Sequence, residues 1–397
     1  MRMIMLLTLS AASSSRSALA FSSLKGVTAS NKSKLAMSSF LEDLTQNFQK
    51  AFSTQPAQTG KVNSQFYTVG ITGSSGLIGR ALIDELIKKQ SLYGKPIRII
   101  KLSRSDSVTD SQLQDKPLLT LPWNPKATTP ESVIDPDVLA SIDTVVHLCG
   151  ENVATGLGPF GFLGLRPWTD EKKAEIINSR VGPTRAIAKA IAACKTPTTL
   201  MSASGVGAYG DNFIGEAALM ADESTDISNS PGFLAQVSRE WEDATKDAGK
   251  NRVVNMRMGV VLSKAGGALA KLFPIFFLGG GGIIGTGQQY FTFVSARDAA
   301  RAYLHIMSTP SLTGPVNVCA PNPCTNAEFT SAMGSVLNRP TILPLPSFAV
   351  SALFGEMGEE MLLGGVRALP RKLEESGFKF LHPTITEALQ SAFEDSI

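Results

Sequence analysis

Three glycines, each three residues after the last, are the residues of this chain whose spacing says most about chemistry. Gly73, Gly76 and Gly79 follow a short apolar run, residues 67–72, and a helical pattern covers residues 77–89. In such a turn the first glycine permits the bend, the second lets the backbone approach a pyrophosphate, and the third lets helix and strand pack closely. The helix N-terminus then faces the phosphates. The pattern predicts a nucleotide-binding site; a glycine turn that only packs is the alternative.

The phosphate-binding residues expected from this turn are Gly73, Ser74, Ser75, Gly76, Leu77 and Ile78. The next predicted strand, Ile97–Leu102, ends in two residues that indicate which dinucleotide binds. NAD-preferring sites usually carry an acidic residue there, which holds the ribose 2′-hydroxyl and would repel a 2′-phosphate. Ser103 and Arg104 offer a hydroxyl and a cation instead, which suits a phosphate. We therefore predict NADP(H) rather than NAD(H); an ordinary surface role for Arg104 is the alternative.

Apolar runs alternate with helical segments along most of the chain. Strands are predicted at residues 144–148, 198–202 and 253–258, and an alanine-rich helix at Arg180–Cys194. This alternation predicts an α/β protein with a Rossmann-type, doubly wound parallel sheet and a small, mostly helical C-terminal region. The apolar stretch Leu272–Ile284 is broken by four glycines, so no transmembrane segment is predicted.

Composition argues against several classes of protein. The 397 residues carry a formal net charge of +3, so no strongly basic surface indicates nucleic acid binding. The four cysteines are too few and too scattered for a disulfide framework, and the three histidines form no ligand pattern with them. We therefore expect no metal site, and we expect the cysteines to pack as small apolar residues.

The first 39 residues have the character of targeting sequence. Arg2 precedes a short apolar core, and Ala18-Leu19-Ala20 forms a small-residue cleavage site before Phe21. Residues 21–39 are rich in serine and lysine and contain no acidic residue, as is typical of transit peptides. This signal-plus-transit arrangement resembles the plastid leaders of algae with secondary plastids and predicts a plastid protein; a secretory signal is the alternative. Residues 40–64 are predicted to be a linker with a short amphipathic helix.

Further motifs narrow the family. They are His147–Asn152, Ser179–Thr184, Ser202–Asp211, Phe233–Val237 leading to Trp241-Glu242, Arg257–Leu262 and the glycine-rich loop Gly279–Gln288. Together with Thr72–Gly79, which has the form TGxxGxxG, they resemble the extended short-chain dehydrogenase/reductase superfamily. Within it they resemble an atypical group, the NAD(P)-dependent nucleoside-diphosphate-sugar epimerase family.

Motifs near the C-terminus resemble the small C-terminal domain of that group. They are Pro321–Pro323, Arg339-Pro340, Pro344–Pro346, Gly355–Met357 and Gly377–Phe380. The resemblance implies an NAD(P)-binding domain at residues 65–320 and a C-terminal domain at residues 321–397. It also implies cofactor contacts from Leu148, Cys149, Gly150, Asn152, Ser202, Arg257 and Gly259.

The resemblance includes a departure at the catalytic residues. Typical members use a Tyr-x-x-x-Lys pair, in which the tyrosine exchanges a proton and the lysine lowers the tyrosine pKa. The matching helix here, Phe233–Trp241, holds no such pair, and Arg180 stands where an active-site asparagine is usual. Two candidates remain: Ser204 as the substrate-polarising hydroxyl and Tyr209 as a substitute proton donor. The alternatives are a strand-end hydrogen bond for Ser204 and local packing for Tyr209.

Other charged residues could contact an anionic or hydroxylated substrate. The candidates are Arg166, Lys172 and Arg180 for a nucleotide diphosphate, and Asp211 and Glu216 for a substrate hydroxyl. The alternative is a solvated face on a helix capped by Thr169 or Asp170, and solvated loop acids. The loop Gly279–Gly287 is predicted to be a mobile lid, or else a loop whose glycines only permit positive φ angles.

Two functions from different classes follow from these residues. The first is an NADP-binding oxidoreductase or epimerase-like enzyme, which acts by hydride transfer on an unidentified carbonyl or hydroxyl substrate such as a sugar nucleotide. The second is a catalytically weak or inactive NADP-binding regulator or scaffold in the plastid, linked to plastid division because plastid relatives of the group carry labels of that kind. A vestigial cofactor site is a third alternative. The apolar stretch Phe348–Leu363 would pack either on the Rossmann domain or against a second subunit in a homodimer.

Overall fold

We describe the protein from a computed structural model, which describes residues 65–104, 116–153, 167–210 and 220–394. The predicted leader, the predicted linker, Arg166, Asp211 and Glu216 lie outside these ranges.

A mostly parallel sheet forms the centre of the described chain. The strands are β1 (Tyr67–Thr72), β2 (Ser91–Leu92), β3 (Lys95–Ser103), β4 (Leu118–Pro122), β5 (Thr144–His147), β6 (Thr199–Gly205), β7 (Val253–Met258), β8 (Val260–Leu262), β9 (Tyr290–Phe291), β10 (Phe293–Ser295), β11 (Gly314–Val318) and β12 (Cys324–Thr325). The main sheet has the order β11-β7-β6-β5-β1-β3, with β4 parallel to β3 and β2 antiparallel to its start. Strand β1 is buried along its whole length, as is usual for a parallel strand covered on both faces.

Helices cover both faces of this sheet. They are α1 (Leu77–Lys89), α2 (Pro136–Ala140), α3 (Asp170–Ala193), α4 (Phe233–Ala244), α5 (Gly267–Phe277), α6 (Ala296–Ser308), α7 (Asn326–Leu337), α8 (Ser347–Gly358), α9 (Arg371–Glu375) and α10 (Ile385–Glu394). The neighbouring residues Val145 and Val146 of β5 belong to two different apolar clusters, one with α2 and α3 and the other with α1 and α6. Successive strand residues point to opposite faces, so the sheet is doubly wound, which confirms the predicted fold class.

The predicted and observed element bounds agree closely in most places. Helix α1 and strand β7 match the predicted residues, and β3 extends two residues before the prediction and one after it. Helix α3 is the main difference, because the helix predicted from Arg180 begins at Asp170, where a helix cap was predicted separately. Its N-cap is Thr169, whose side chain accepts a hydrogen bond from the Lys172 N–H at 3.2 Å. Pro183 lies inside the helix, and a proline there usually indicates a helix start instead.

The C-terminal residues pack against elements of the first 320 residues. Strand β12 pairs with β9, and one apolar cluster joins Leu262 and Leu269 to Phe329 and Leu389. Helix α8 has non-helical backbone angles at Gly355 and continues into a π-helical turn, residues 359–363. The boundary between residues 320 and 321 therefore stays a prediction. No helix within the described ranges is both long and apolar enough to cross a membrane.

His147 at the end of β5 is fully buried in the sheet. Its Nδ1 atom lies 2.9 Å from Thr72 Oγ1 on the neighbouring strand. Its ring meets the edge of Trp123, with centroids 5.7 Å apart. Burial lowers the pKa of His147 to about 4. The side chain is therefore a packed, neutral histidine at physiological pH, as its place in a buried strand predicts.

We expect His147 to make the fold sensitive to acid. The unfolded chain binds a proton at the ordinary histidine pKa near 6.5, so the stabilisation is complete above that pH and falls as pH decreases towards 4. At pH 5 the loss is roughly 2 kcal/mol. Urea unfolding at pH 7 and pH 5 measures it, and His147→Asn should show a smaller drop than the wild type. An equal drop in both proteins would assign the acid sensitivity to other groups.

Candidate active site

The glycine turn brings β1 and α1 together with almost no free space. Gly73 has a φ of +66°, a conformation that other residues rarely adopt. The Gly76 N–H donates a hydrogen bond to the Gly73 oxygen at 3.0 Å. A Cβ atom on Gly79 would lie 2.5 Å from that same oxygen. Only glycine at position 79 lets the helix start this close to the strand end.

Helix α1 presents an uncapped N-terminus at this turn. Gly76 is the N-cap residue, and no side chain bonds to the first-turn N–H groups. These groups and the positive end of the helix dipole suit an anion. A pocket of about 240 Å³ adjoins them, and its lining includes Gly73, Gly76, Leu77 and Ile78. Ser74 is half-buried and Ser75 exposed beside it. The turn therefore fits the pyrophosphate of a dinucleotide.

Arg104 lies exposed at the end of β3, the strand next to β1, and Ser103, half-buried, precedes it. Burial raises the pKa of the Cys149 thiol, and the charge of Arg104 partly opposes that shift. Cys149 follows β5 on the other side of β1. Arg104 therefore lies at the same sheet edge as the glycine turn, where a dinucleotide ribose would be expected.

A larger cleft of about 500 Å³ opens over the carboxyl ends of the central strands. Leu148 and Gly150 line it after β5, Ser204 at the end of β6, and Gly259 after β7. The rest of its described wall comes mainly from α1, α3, α4, α5, α7, residues 282–292, which include β9, and residues 360–366. Ligands of open α/β sheets bind at this edge. The cleft therefore brings together Ser204 and four of the predicted cofactor residues, since Ile78 of α1 also lines it.

Ser204 belongs to a buried polar network beneath the cleft. Its hydroxyl donates to Glu242 Oε1 at 2.8 Å. Arg257 donates to both carboxylate oxygens of Glu242, through Nε at 2.8 Å and Nη2 at 2.9 Å. The guanidinium also lies over the Tyr209 ring, 5.0 Å from its centroid. Burial acts to lower the pKa of Arg257, but the hydrogen bonds and charge of Glu242 outweigh it and raise that pKa. Arg257 therefore stays positively charged.

Tyr209 and Arg257 do not line the cleft among its described residues. The Tyr209 hydroxyl donates to Asn317 Oδ1 at 2.8 Å, and its side chain is buried. Burial raises the pKa of Tyr209 to about 12, so the phenol holds its proton firmly. Arg257 is bound to Glu242 as described above. The geometry thus gives no support to Tyr209 as a proton donor or to Arg257 as a cofactor contact, because both are committed to packing beneath the cleft.

Arg180 is the only positively charged side chain on the described wall of the cleft. It donates to the Ile176 oxygen at 3.0 Å and to the Glu151 oxygen at 2.8 Å, and its guanidinium lies 5.0 Å from the Trp241 ring centroid. A Cβ atom on Gly150 would lie 3.1 Å from the guanidinium carbon. Burial lowers the pKa of Arg180 to about 10, so it is still positively charged at neutral pH. It gives the cleft a fixed cation.

Helix α4 faces the cleft with apolar residues. Leu234, Val237, Ser238 and Trp241 line it. Leu234 and Ser238 stand four residues apart, as the usual tyrosine and lysine would. The Ser238 hydroxyl donates to the Leu234 oxygen at 2.8 Å. This face of α4 therefore supplies no side chain that can serve as a general acid.

Glu360 is a site residue that we did not predict from the sequence. Its carboxylate accepts hydrogen bonds from the first N–H groups of α4, at 2.6 Å from Phe233 and 2.9 Å from Leu234. Gly232, with a φ of +93°, leaves room for it, since a Cβ there would lie 3.1 Å away. The two segments are about 127 residues apart in sequence. Glu242 was likewise not predicted as a site residue, although it belongs to a motif of the sequence. Its position eight residues after Leu234, about two helical turns, was the signal that could have placed it near the cleft.

The other predicted residues lie around the cleft rather than on its described wall. Ser202 is fully buried between β5 and β7. Cys149 packs partly buried against the α3 side of the sheet, and Asn152 is exposed just after it. Lys172 pairs with Glu151 at 3.0 Å. These positions leave their roles as predictions.

The glycine-rich loop after α5 is tied to the C-terminal region. Gly282 and Ile284 line the cleft. The Gly285 N–H donates to the Leu345 oxygen at 2.8 Å, and the Leu345 N–H donates to the Ile283 oxygen at 2.9 Å. The loop thus forms part of the cleft wall, and its motion as a lid stays a prediction.

Comparison with known proteins agrees with this geometry. Residues 69–319 match the family model described as the NAD dependent epimerase/dehydratase family. The chain belongs to this family. Residues 345–392 match a domain of unknown function, DUF1731. The predicted superfamily and its C-terminal domain are therefore confirmed.

Several family members are similar over most of the chain. An epimerase family protein of Mycobacterium bovis is 41% identical over 323 residues, which is 81% of this chain and 96% of that protein. A chloroplastic SDR39U1 homolog of Arabidopsis thaliana is 35% identical over 82% of this chain and 87% of its own length. The crystal structure of human epimerase family protein SDR39U1 (isoform 2) with NADPH has a TM-score of 0.65 and 29% identity, and covers 82% of this chain and 99% of that one.

We expect the Glu242–Arg257 pair of this epimerase family member to be needed for stability. Glu242→Gln leaves the Arg257 charge buried without its carboxylate, and breaking such a pair costs about 3 kcal/mol. Asp243→Asn is the matched control on the same helix, because Asp243 pairs with Lys246 at an exposed site and such pairs contribute about 1 kcal/mol or less. Urea unfolding measures both. Equal, small losses would show that the network beneath Ser204 contributes little to stability.

Proposed function

We propose that this protein is an NADP(H)-dependent oxidoreductase or epimerase-like enzyme that acts on a carbonyl or hydroxyl group in the cleft over β5, β6 and β7. The observation that supports it best is the uncapped N-terminus of α1, which lies against the glycine turn. The NADPH in the structure of the human relative supports the same cofactor here. The bound dinucleotide would supply or accept two electrons and one hydrogen as hydride.

The residues of the chain would divide the binding between phosphates and nicotinamide. Gly76 and the first turn of α1 would hold the pyrophosphate. Ser103 and Arg104 would hold a 2′-phosphate. Leu148 and Gly150 would lie along the nicotinamide end, because they line both the strand end and the cleft.

Arg180 would stabilise negative charge that develops on the substrate. A cation fixed by two backbone carbonyls and an indole ring does not have to reorganise during the reaction, which is the condition for effective electrostatic stabilisation. Ser204 would orient a substrate hydroxyl by accepting its hydrogen bond, since its own proton goes to Glu242. Both roles are proposals.

A second function is supported by the face of α4. Since α4 lines the cleft with Leu234 and Ser238 and carries no tyrosine–lysine pair, the protein would be a catalytically weak or inactive NADP-binding regulator or scaffold. The chloroplastic name of the Arabidopsis relative supports a plastid location for either function. Plastid division is the process we associate with the regulatory alternative.

Calorimetric titration with NADPH and NADH tests the cofactor proposal. We expect NADPH to bind more tightly than NADH, and Arg104→Glu to weaken NADPH binding at least about tenfold with little effect on NADH. Lys89→Glu is the control, because it makes the same charge change at an exposed position at the far end of α1. If neither dinucleotide binds, the proposed function is wrong. Equal losses for both dinucleotides would remove the preference for NADP(H).

Turnover separates the two functions once NADPH binding is established. NADPH oxidation in the presence of one carbonyl compound from a panel supports the enzyme. Capture of a partner that depends on NADP(H), without turnover on that panel, supports the regulator.

A further inference from the structure

The described wall of the cleft is apolar and aromatic on the side away from the strand ends. Phe276, Phe291 and Phe329 pack together, with ring centroids 4.5 Å apart for Phe291 and Phe329 and 6.2 Å for Phe276 and Phe329. Leu234 and Trp241 line the same cleft from α4. Such a wall favours flat apolar ligands. It disfavours sugar hydroxyls and diphosphates, because their lost hydration would not be replaced.

The two hydroxyl groups near the strand ends already donate hydrogen bonds to acceptors within the protein. Ser204 donates to Glu242, and Ser238 donates to the Leu234 oxygen, both at 2.8 Å. A ligand can only donate to these two oxygens while the bonds persist. This part of the cleft therefore lacks a proton donor among the described side chains.

The same pattern continues on the opposite wall. The Thr292 hydroxyl donates to the Val366 oxygen. The Gln289 amide donates its two hydrogens to backbone oxygens, to Ile284 at 3.0 Å and to Leu362 at 2.8 Å. These polar side chains hold the wall together and leave its surface apolar.

Two uncharged side-chain donors on the described wall have no protein acceptor among the described residues: the Asn326 amide nitrogen and the Tyr290 hydroxyl. Asn326 is held by its oxygen, which accepts from the Ile284 N–H at 2.9 Å. Its side chain lines the cleft next to Phe329. An amide N–H can hold a carbonyl oxygen but does not act as an acid. Neither donor lies at the strand ends: Asn326 suits holding a carbonyl oxygen, and the Tyr290 phenol, which is able to act as an acid, lies on β9 of the facing wall.

We propose that the substrate end of the cleft binds a flat, apolar, conjugated carbonyl compound of the quinone or enone class, with a carbonyl oxygen held by Asn326. This inference rests on the proposed NADP(H)-dependent function. An isolated ketone needs an acid at the oxygen next to the reacting carbon. A conjugated acceptor spreads the developing charge to a remote oxygen, so it does not need an acid at the strand ends.

The reduction of such a compound balances without any further reactant. One carbon of the acceptor gains a hydrogen with two electrons, which the reduced dinucleotide loses. The negative charge moves through the conjugated system to the remote oxygen, which takes one proton from water. The products are the oxidised dinucleotide and, after one proton moves between carbon and oxygen through water, the hydroquinone or the saturated carbonyl compound. Arg180 supports the negative charge while it is present.

Calorimetry with 2,3-dimethyl-1,4-naphthoquinone and UDP-glucose, each titrated with and without saturating NADP⁺, tests the inference on the full chain. We expect saturable binding of the quinone and none of UDP-glucose. Leu234→Lys places a charge in the cleft and should weaken quinone binding at least about tenfold. Gln236→Lys is the matched control, because it adds the same charge at an exposed position of α4, and it should bind like the wild type.

A second variant keeps the test decisive if Leu234→Lys fails to fold. Asn326→Asp retains the oxygen that accepts from the Ile284 N–H and loses the amide hydrogens, so quinone binding should fall about tenfold while NADP⁺ binding is unchanged. Binding of UDP-glucose without the quinone, or of neither, overturns the substrate class even where NADPH binds. Unchanged quinone affinity in both cleft variants would place the quinone outside this cleft. If NADPH itself does not bind, the proposed function is overturned, which is a different outcome from failure of the substrate class.

Discussion

The close contact between Gly73 and Gly79 is the constraint on which the rest of this site depends. A Cβ at position 79 would come within 2.5 Å of the Gly73 oxygen, so any other residue would push α1 away from the end of β1. Strand β1 lies between β5 and β3, and the chain passes from one side of β1 to the other between them. This change of direction leaves a crevice at the carboxyl ends of the strands. The contact therefore brings the helix N-terminus to the same edge as the cleft.

Around that crevice, ionic groups are placed for structure more than for proton transfer. Glu242 and Arg257 neutralise each other beneath the strand ends. Glu360 caps α4. Arg180 is held by two backbone oxygens and an indole ring. The Glu242–Arg257 pair thus lies beneath the cleft and Arg180 is a fixed cation on its wall. The absence of a tyrosine–lysine pair from α4 agrees with this, because none of these groups is placed to transfer a proton.

The sequence predicts the parts of the molecule that depend on local pattern. The glycine turn, α1 and the buried strands are recognisable because each is specified by neighbouring residues. The observed bounds of α1, β3 and β7 agree with the predicted bounds to within two residues. The sequence predicts a helix cap at Thr169 or Asp170 and, separately, an alanine-rich helix from Arg180; in the structure both belong to one helix, α3, which Thr169 caps eleven residues before Arg180. The Glu242 network and the Glu360 cap could not be predicted, since they join segments tens to more than a hundred residues apart. Tyr209 shows the same limit: its motif placed it near the cofactor, but Asn317 on a different strand takes its hydroxyl.

The two halves of the cleft therefore have different origins. The strand ends and α1 come from the dinucleotide-binding pattern, which is set by backbone geometry and leaves little freedom in residue type. The facing wall comes from β9, α7 and residues 360–366, where side chains rather than backbone decide the surface. Phe291, Phe329 and Asn326 lie on that wall. Because the first half is built for the dinucleotide, substrate selection in the proposed function depends on the second half, and its apolar surface is the strongest constraint on what the cleft binds.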